Sequence, residues 1–149
     1  MHRRHVLSGL LAGAGGLIAT AMSAVRGRAA APDQAKVVYH LADLDKVNFV
    51  LGNIRNHYDG MGGPDRVTIA LVVHGPALKA FRVAGASPDV AHRMAEFAAA
   101  GLAPSACIHS MKAQNLTLKD LLPGFAVADR GGVVRLAELQ AQGYAYLRP

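Results

Sequence analysis

The only cysteine of the chain, Cys107, lies in the stretch Pro104-Ser105-Ala106-Cys107-Ile108-His109-Ser110-Met111. One cysteine cannot close an internal disulfide, so its thiol is a packing group, a metal ligand or a reactive nucleophile. The chain has no C-x-x-C pair, which excludes thioredoxin-like dithiol chemistry. A nearby imidazolium or helix N-terminus lowers a thiol pKa from about 8.5, in some sites to roughly 3.5–7.5, and makes the thiolate available at neutral pH. A thiolate is the nucleophile that accepts a sulfane sulfur as a persulfide, and one cysteine suffices for that relay. Three histidines are candidates to polarise it: His40, His74 and His109.

The elements that position these residues follow from hydrophobic periodicity. Residues 36–41 form a β-branched, aromatic run and predict a buried strand ending near His40. Asp43 or Asp45 then caps a helix whose apolar stripe is Val47, Val50, Leu51, Ile54 and Tyr58, with Asn53, Asn56 and His57 beside it. Residues 60–65 are a turn, and residues 66–73 form a nearly continuous apolar run, the pattern of a strand covered on both faces. His74-Gly75-Pro76 closes that strand and opens a short helix anchored by Leu78 and Phe81. Ser87-Pro88 starts a further helix with Val90, Met94 and Phe97 as its core stripe, and Gly101 ends it.

The cysteine strand comes next, and residues 112–122 read as a polar loop leading to a short helix capped by Thr117. Residues 125–127 predict a short strand. Gly131-Gly132 leads into a helix over residues 133–142 with Val133, Leu136, Ala137 and Gln140 on one side, and residues 144–147 form a fifth strand. Strands alternating with helices at this spacing predict an α/β fold: a parallel sheet with helices on both faces. His40, His74 and Cys107 then fall at or near the C-terminal ends of parallel strands, where open α/β sheets place their binding crevices. His109 joins them if the third strand stops early enough. Strand order is not legible in the sequence.

The N-terminus has the order of an export signal. Arg3-Arg4 precedes an apolar run of about residues 6–25, followed by Arg26, Arg28 and Ala29-Ala30-Ala31. The paired arginines and the weak, glycine-containing hydrophobic segment predict a twin-arginine leader over residues 1–31, a mature domain over 32–149 and a periplasmic location. The alternative is an uncleaved membrane anchor. The formal net charge of +6 is largely the leader's: without its four arginines the chain has 12 Lys and Arg against 10 Asp and Glu. Nucleic-acid binding therefore lacks an electrostatic basis, and no membrane contact is expected after the leader is removed.

Val38-Tyr39-His40-Leu41, Asn53-Ile54-Arg55-Asn56-His57, Val72-Val73-His74-Gly75-Pro76 and Cys107-Ile108-His109-Ser110-Met111 together resemble the DsrE/DsrF-like sulfur-relay family, most of all its small exported members. Leu121-Leu122-Pro123-Gly124 and the segment from Leu139 to Tyr146 extend the resemblance over nearly all of the mature chain. It implies a three-layer α/β/α fold with a five-stranded, mainly parallel sheet and assembly into homo-oligomers, trimers or hexamers. It further implies that Cys107 is the sulfur-carrying cysteine, exchanging sulfur with a donor or acceptor protein or a small thiol, with no resident cofactor. The chain departs from the family pattern at His109-Ser110, where an Asn-Thr pair is usual. The resulting site is catalytic Cys107, His74, His40 and His109, with Asn53, Asn56 and Gly75 as substrate contacts, in a sulfurtransferase or sulfur carrier. Two alternatives use the same residues otherwise. One is an oligomeric scaffold or small-ligand-binding protein with an inert Cys107; the other holds copper or zinc on Cys107, His40, His74 and His109.

Overall fold

The structure, a computed structural model, describes residues 34–149, and the leader read at residues 1–31 lies outside the described residues. The strands are β1 (Ala35–Leu41), β2 (Val67–Val73), β3 (Ala103–Cys107), β4 (Ala126–Ala128) and β5 (Ala145–Leu147). The helices between them are α1 (Val47–Met61), α2 (Pro88–Ala99), α3 (Ile108–Ala113) and α4 (Gly132–Ala141). The strands form one parallel sheet in the order β4-β3-β2-β1-β5. This is the α/β/α architecture expected from the alternation of strands and helices. Among the described residues no helix is long and apolar enough to cross a membrane.

Strand order decides which face each helix covers. From β1 to β4 the chain steps across the sheet in one direction, so right-handed crossovers place α1 and α2 on one face. The step from β4 back to β5 runs the other way and places α4 on the opposite face. The two cores agree with this. Val37, Tyr39, Leu41, Ile69, Leu71 and Val73 pack under α1 and α2, whereas Val38, Ala70 and Val72 pack under Leu136 and Leu139 of α4. Successive strand residues alternate between the faces, so the near-continuous apolar run of β2 is buried on both.

The stripe of α1 is buried as read, at Val47, Val50, Leu51, Ile54 and Tyr58. Each such side chain contributes about 1.5–3 kcal/mol on burial. In α2, Val90, Met94 and Phe97 are buried, and the Ser87 hydroxyl accepts the Val90 N–H at 3.2 Å with Pro88 at the first helical position.

Three local readings need correction. Neither Asp43 nor Asp45 caps α1: a 3-10 turn (Leu44–Lys46) intervenes, and the Asp43 carboxylate instead accepts from Arg148 at 3.4 Å. On α4 the inward residues are Leu136 and Leu139, while Val133 is 69% exposed, because α4 presents only a narrow stripe to the sheet. Finally, a helix, α3 (Ile108–Ala113), begins directly after Cys107 and runs into the start of the segment read as a polar loop from residue 112.

Candidate functional site

The connections leaving β3 and β4 pass to opposite faces, so the C-terminal edge between them is the switch point at which α/β sheets form crevices. Cys107 is the last residue of β3 and pairs in register with Ala128, the last residue of β4. Its backbone is extended (φ −64°, ψ 123°) and occupies the N-cap position of α3. Alternation puts Ala106 in the α1/α2 core and turns Cys107 toward the α4 face.

The thiol is 5% exposed, and burial pushes its pKa up. The N–H groups of Ser110 and Gly132, the Ser110 hydroxyl and the His109 N–H more than offset this, leaving the pKa below its ordinary value. The Ser110 hydroxyl oxygen already accepts the Gly75 N–H at 2.8 Å, which leaves its proton to face the sulfur. Gly75 also accepts Gln114 Nε2 at 2.9 Å, so this glycine fixes α3 from two sides. Its φ of +59°, and the Ala42 carbonyl 3.3 Å from where a β-carbon would stand, suit glycine at this position.

Gly132 is where the strand ends converge. A β-carbon there would lie 3.3 Å from the Cys107 β-carbon and 3.4 Å from the His74 β-carbon. His74, the residue after β2, is thus a close neighbour of Cys107 across the first residue of α4. His40 Nε2 hydrogen-bonds His74 Nε2, and His40 Nδ1 meets the Tyr146 hydroxyl at 2.6 Å. With both rings neutral, one proton is shared between the facing Nε2 atoms, and the two tautomers are coupled. The exposed His109 packs against Gly131, with its Cδ2 only 2.9 Å from the position of a β-carbon there. All four residues read as catalytic therefore meet at one sheet edge.

Both inner histidines favour the uncharged form. His40, 8% exposed, is lowered to about 4 by burial, then by His74 and Arg148, with Asp43 opposing. His74 is lowered by burial and Arg148, again against Asp43. The groups that lower the Cys107 pKa are thus peptide N–H groups and a hydroxyl, beside a neutral imidazole pair. The His40 shift has a consequence for stability. An unfolded histidine binds its proton near 6.5, so between that value and about 4 the unfolded chain holds more protons and stability rises with pH. This contribution is fully present above about 6.5 and is lost as pH falls toward about 4. Denaturant titrations across that window should show the loss, and His40→Gln should flatten it.

Asn53 and Asn56 do not join this group. They line a separate cavity of about 460 Å³ with Tyr39, His57, Leu147 and Arg148, on α1 and across β1 from His40. There the Tyr39 hydroxyl meets His57 Nδ1 at 2.9 Å. Sequence reasoning missed Ser110, Gly132 and Tyr146. The Gly131-Gly132 doublet was the one available signal, because glycine at a helix start permits close approach. Among the described residues, no group of three or more His, Cys, Asp or Glu side chains is arranged to hold a metal ion.

A parallel five-stranded α/β/α domain with a lone thiol at its switch point defines a class, and the comparisons identify the family. The DsrE/DsrF-like family model matches residues 33–149, and the chain belongs to that family. Membership suggests a sulfur-relay-like function. Among solved structures, the chain is similar to the protein of unknown function MTH1491 from Methanobacterium thermoautotrophicum, with a TM-score of 0.67 and 26% identity over 77% of this chain and 99% of that one. The conserved protein of unknown function BT1422 from Bacteroides thetaiotaomicron gives a TM-score of 0.58 and 17% identity over 76% and 94% of the two chains. The ychN protein from E. coli gives 0.54 and 13% over 78% and 99%. The last two show the fold alone. No curated protein matches the chain.

Proposed function

We propose that the protein is a sulfur carrier in which Cys107 holds sulfane sulfur as a persulfide. The observation that carries this reading is the Cys107 sulfur at the switch point, facing N–H groups from the first turns of α3 and α4. The thiolate attacks the outer sulfur of a donor, the donor's S–S bond breaks, and its other half leaves with the electron pair. From thiosulfate the leaving group is sulfite; from a polysulfide it is the shortened chain. The peptide N–H groups stabilise the anion before attack and the terminal persulfide anion after it. Transfer to an acceptor thiolate reverses the step, so neither oxidant nor cofactor is needed. His74, tied to His40 and through it to Tyr146, is the inner imidazole beside Cys107 that would exchange a proton with the leaving sulfur.

Export and assembly complete the reading. The twin-arginine leader of residues 1–31 would deliver the folded domain to the periplasm. Oligomerisation is supported by the thin cover of the second face, where α4 leaves Val133 and Val134 outward and β5 leaves Tyr146 exposed. The direct test is intact mass after incubation with thiosulfate or inorganic polysulfide. We expect an adduct of about 32 Da that is removed by reductant and absent from Cys107→Ser. No adduct, or one that persists in the variant, overturns the reading.

A further inference from the structure

A cavity of about 340 Å³ opens on the α4 face beside β4, and its lining includes Ala128, the register partner of Cys107. Its floor includes Ser105, two residues before Cys107 on the same face of β3, and Gly131, next to the glycine that touches Cys107. Its walls carry Asp129 and Arg130 from the β4–α4 turn and Arg135 and Glu138 from α4. Ser105, a polar residue only 6% exposed, is part of this lining.

The charges are balanced and interleaved. Glu138 pairs with Arg130 and, at 3.6 Å, with Arg135, while Asp129 stands on the same rim. Two guanidinium groups alone would define an anion site. Two carboxylates set among them oppose a dianion such as thiosulfate but match a ligand that brings one charge of each sign. The volume lies at the small end of small-molecule sites. It suits a donor of amino-acid size, not a folded domain.

We propose that this cavity binds the sulfur donor as a zwitterion, the persulfide of an amino-acid thiol such as cysteine. The donor carboxylate takes Arg130 and Arg135, its ammonium takes Glu138 and Asp129, and its sulfur chain runs past Ser105 to Cys107. The Cys107 thiolate attacks the outer sulfur, the S–S bond breaks, and the amino-acid thiolate leaves and takes up the proton of the transferred SH. The inference rests on the sulfur-carrier reading above and specifies its donor.

The test compares the initial rates of adduct formation on Cys107 from three donors: cysteine persulfide, 3-mercaptopropionate persulfide, which lacks only the ammonium, and inorganic polysulfide. Rates are taken relative to those of the same donors with a small free thiol. Charged hydrogen bonds of this kind predict that the wild type prefers cysteine persulfide over its ammonium-free analogue roughly tenfold, and that Glu138→Gln reduces the preference to roughly two- to threefold. Glu138→Gln should also favour thiosulfate, because it removes one of the two carboxylates that oppose a dianion. Equal rates for the two organic donors in the wild type, or a preference untouched by Glu138→Gln, overturn the proposal while polysulfide loading upholds the carrier reading. Failure of polysulfide itself to load Cys107 sinks both.

Discussion

Gly132→Val is expected to abolish sulfur loading of Cys107 and to destabilise the domain by about 1–3 kcal/mol. The reason is convergence. A β-carbon at residue 132 would sit 3.3 Å from the Cys107 β-carbon and 3.4 Å from that of His74. Both are β-carbons fixed by strand-end backbone, not the far ends of flexible side chains, so neither yields without moving β2 or β3. Valine adds two methyl groups beyond that contact. The start of α4 would be pushed away, taking the Gly132 N–H from the thiol. Gly132→Ala is the graded companion. It makes the tight contact without the two further methyl groups, so its stability should fall between wild type and valine. Denaturant melts with loading assays on both variants check the order. A valine variant with wild-type stability and loading would mean that the ends of β2 and β3 and the start of α4 are not packed as described.

The second large effect belongs to Ser110. Its hydroxyl accepts the Gly75 N–H at 2.8 Å and faces the Cys107 sulfur, joining the end of β2 to the thiol. Ser110→Ala removes one donor from the thiolate and leaves the Gly75 N–H without its acceptor. Loss of a hydrogen bond worth about 0.5–1.5 kcal/mol should slow thiol alkylation at neutral pH roughly three- to tenfold. The alkylation midpoint should move to higher pH. Ser110→Thr retains the hydroxyl and should restore most of the rate. A purely structural role would lower stability in the alanine variant without moving the midpoint.

The parts of the site that were legible in the sequence are those set by local pattern. Cys107, His40 and His74 fall at strand ends because the apolar runs preceding them are strands. The stripes of α1 and α2 are plain because each helix buries one face against a sheet. What could not be read depends on pairing between distant segments. Tyr146 reaches His40 only because β5 crosses the whole sheet to pair with β1. Gly132 reaches Cys107 only because β4 lies beside β3. The start of α3 was hidden for another reason: its N-cap is Cys107 itself, not the Ser, Thr, Asp or Asn that usually announces a helix. That hidden start supplies the N–H groups of His109 and Ser110. The activating surroundings of the thiol were thus less visible than the thiol.

Asn53 and Asn56 illustrate the converse. They lie on the α1 side of the sheet, and Cys107 faces the α4 side, so nearness along a resembling motif did not become nearness in space. Val133 likewise fits an apolar spacing but points outward, because α4 alone spans its face and buries only Leu136 and Leu139 there.

The central claim is that peptide donors from the starts of α3 and α4 hold the Cys107 thiol pKa below its ordinary value. Its most direct test is the rate of alkylation of Cys107 by a small neutral reagent, measured across pH in the native and the denatured chain. The account predicts a native midpoint below that of the denatured chain, with a measurable rate at neutral pH despite the low exposure of the residue. A native thiol that titrates at or above the denatured value, or that stays unreactive at every pH at which the fold persists, would contradict it.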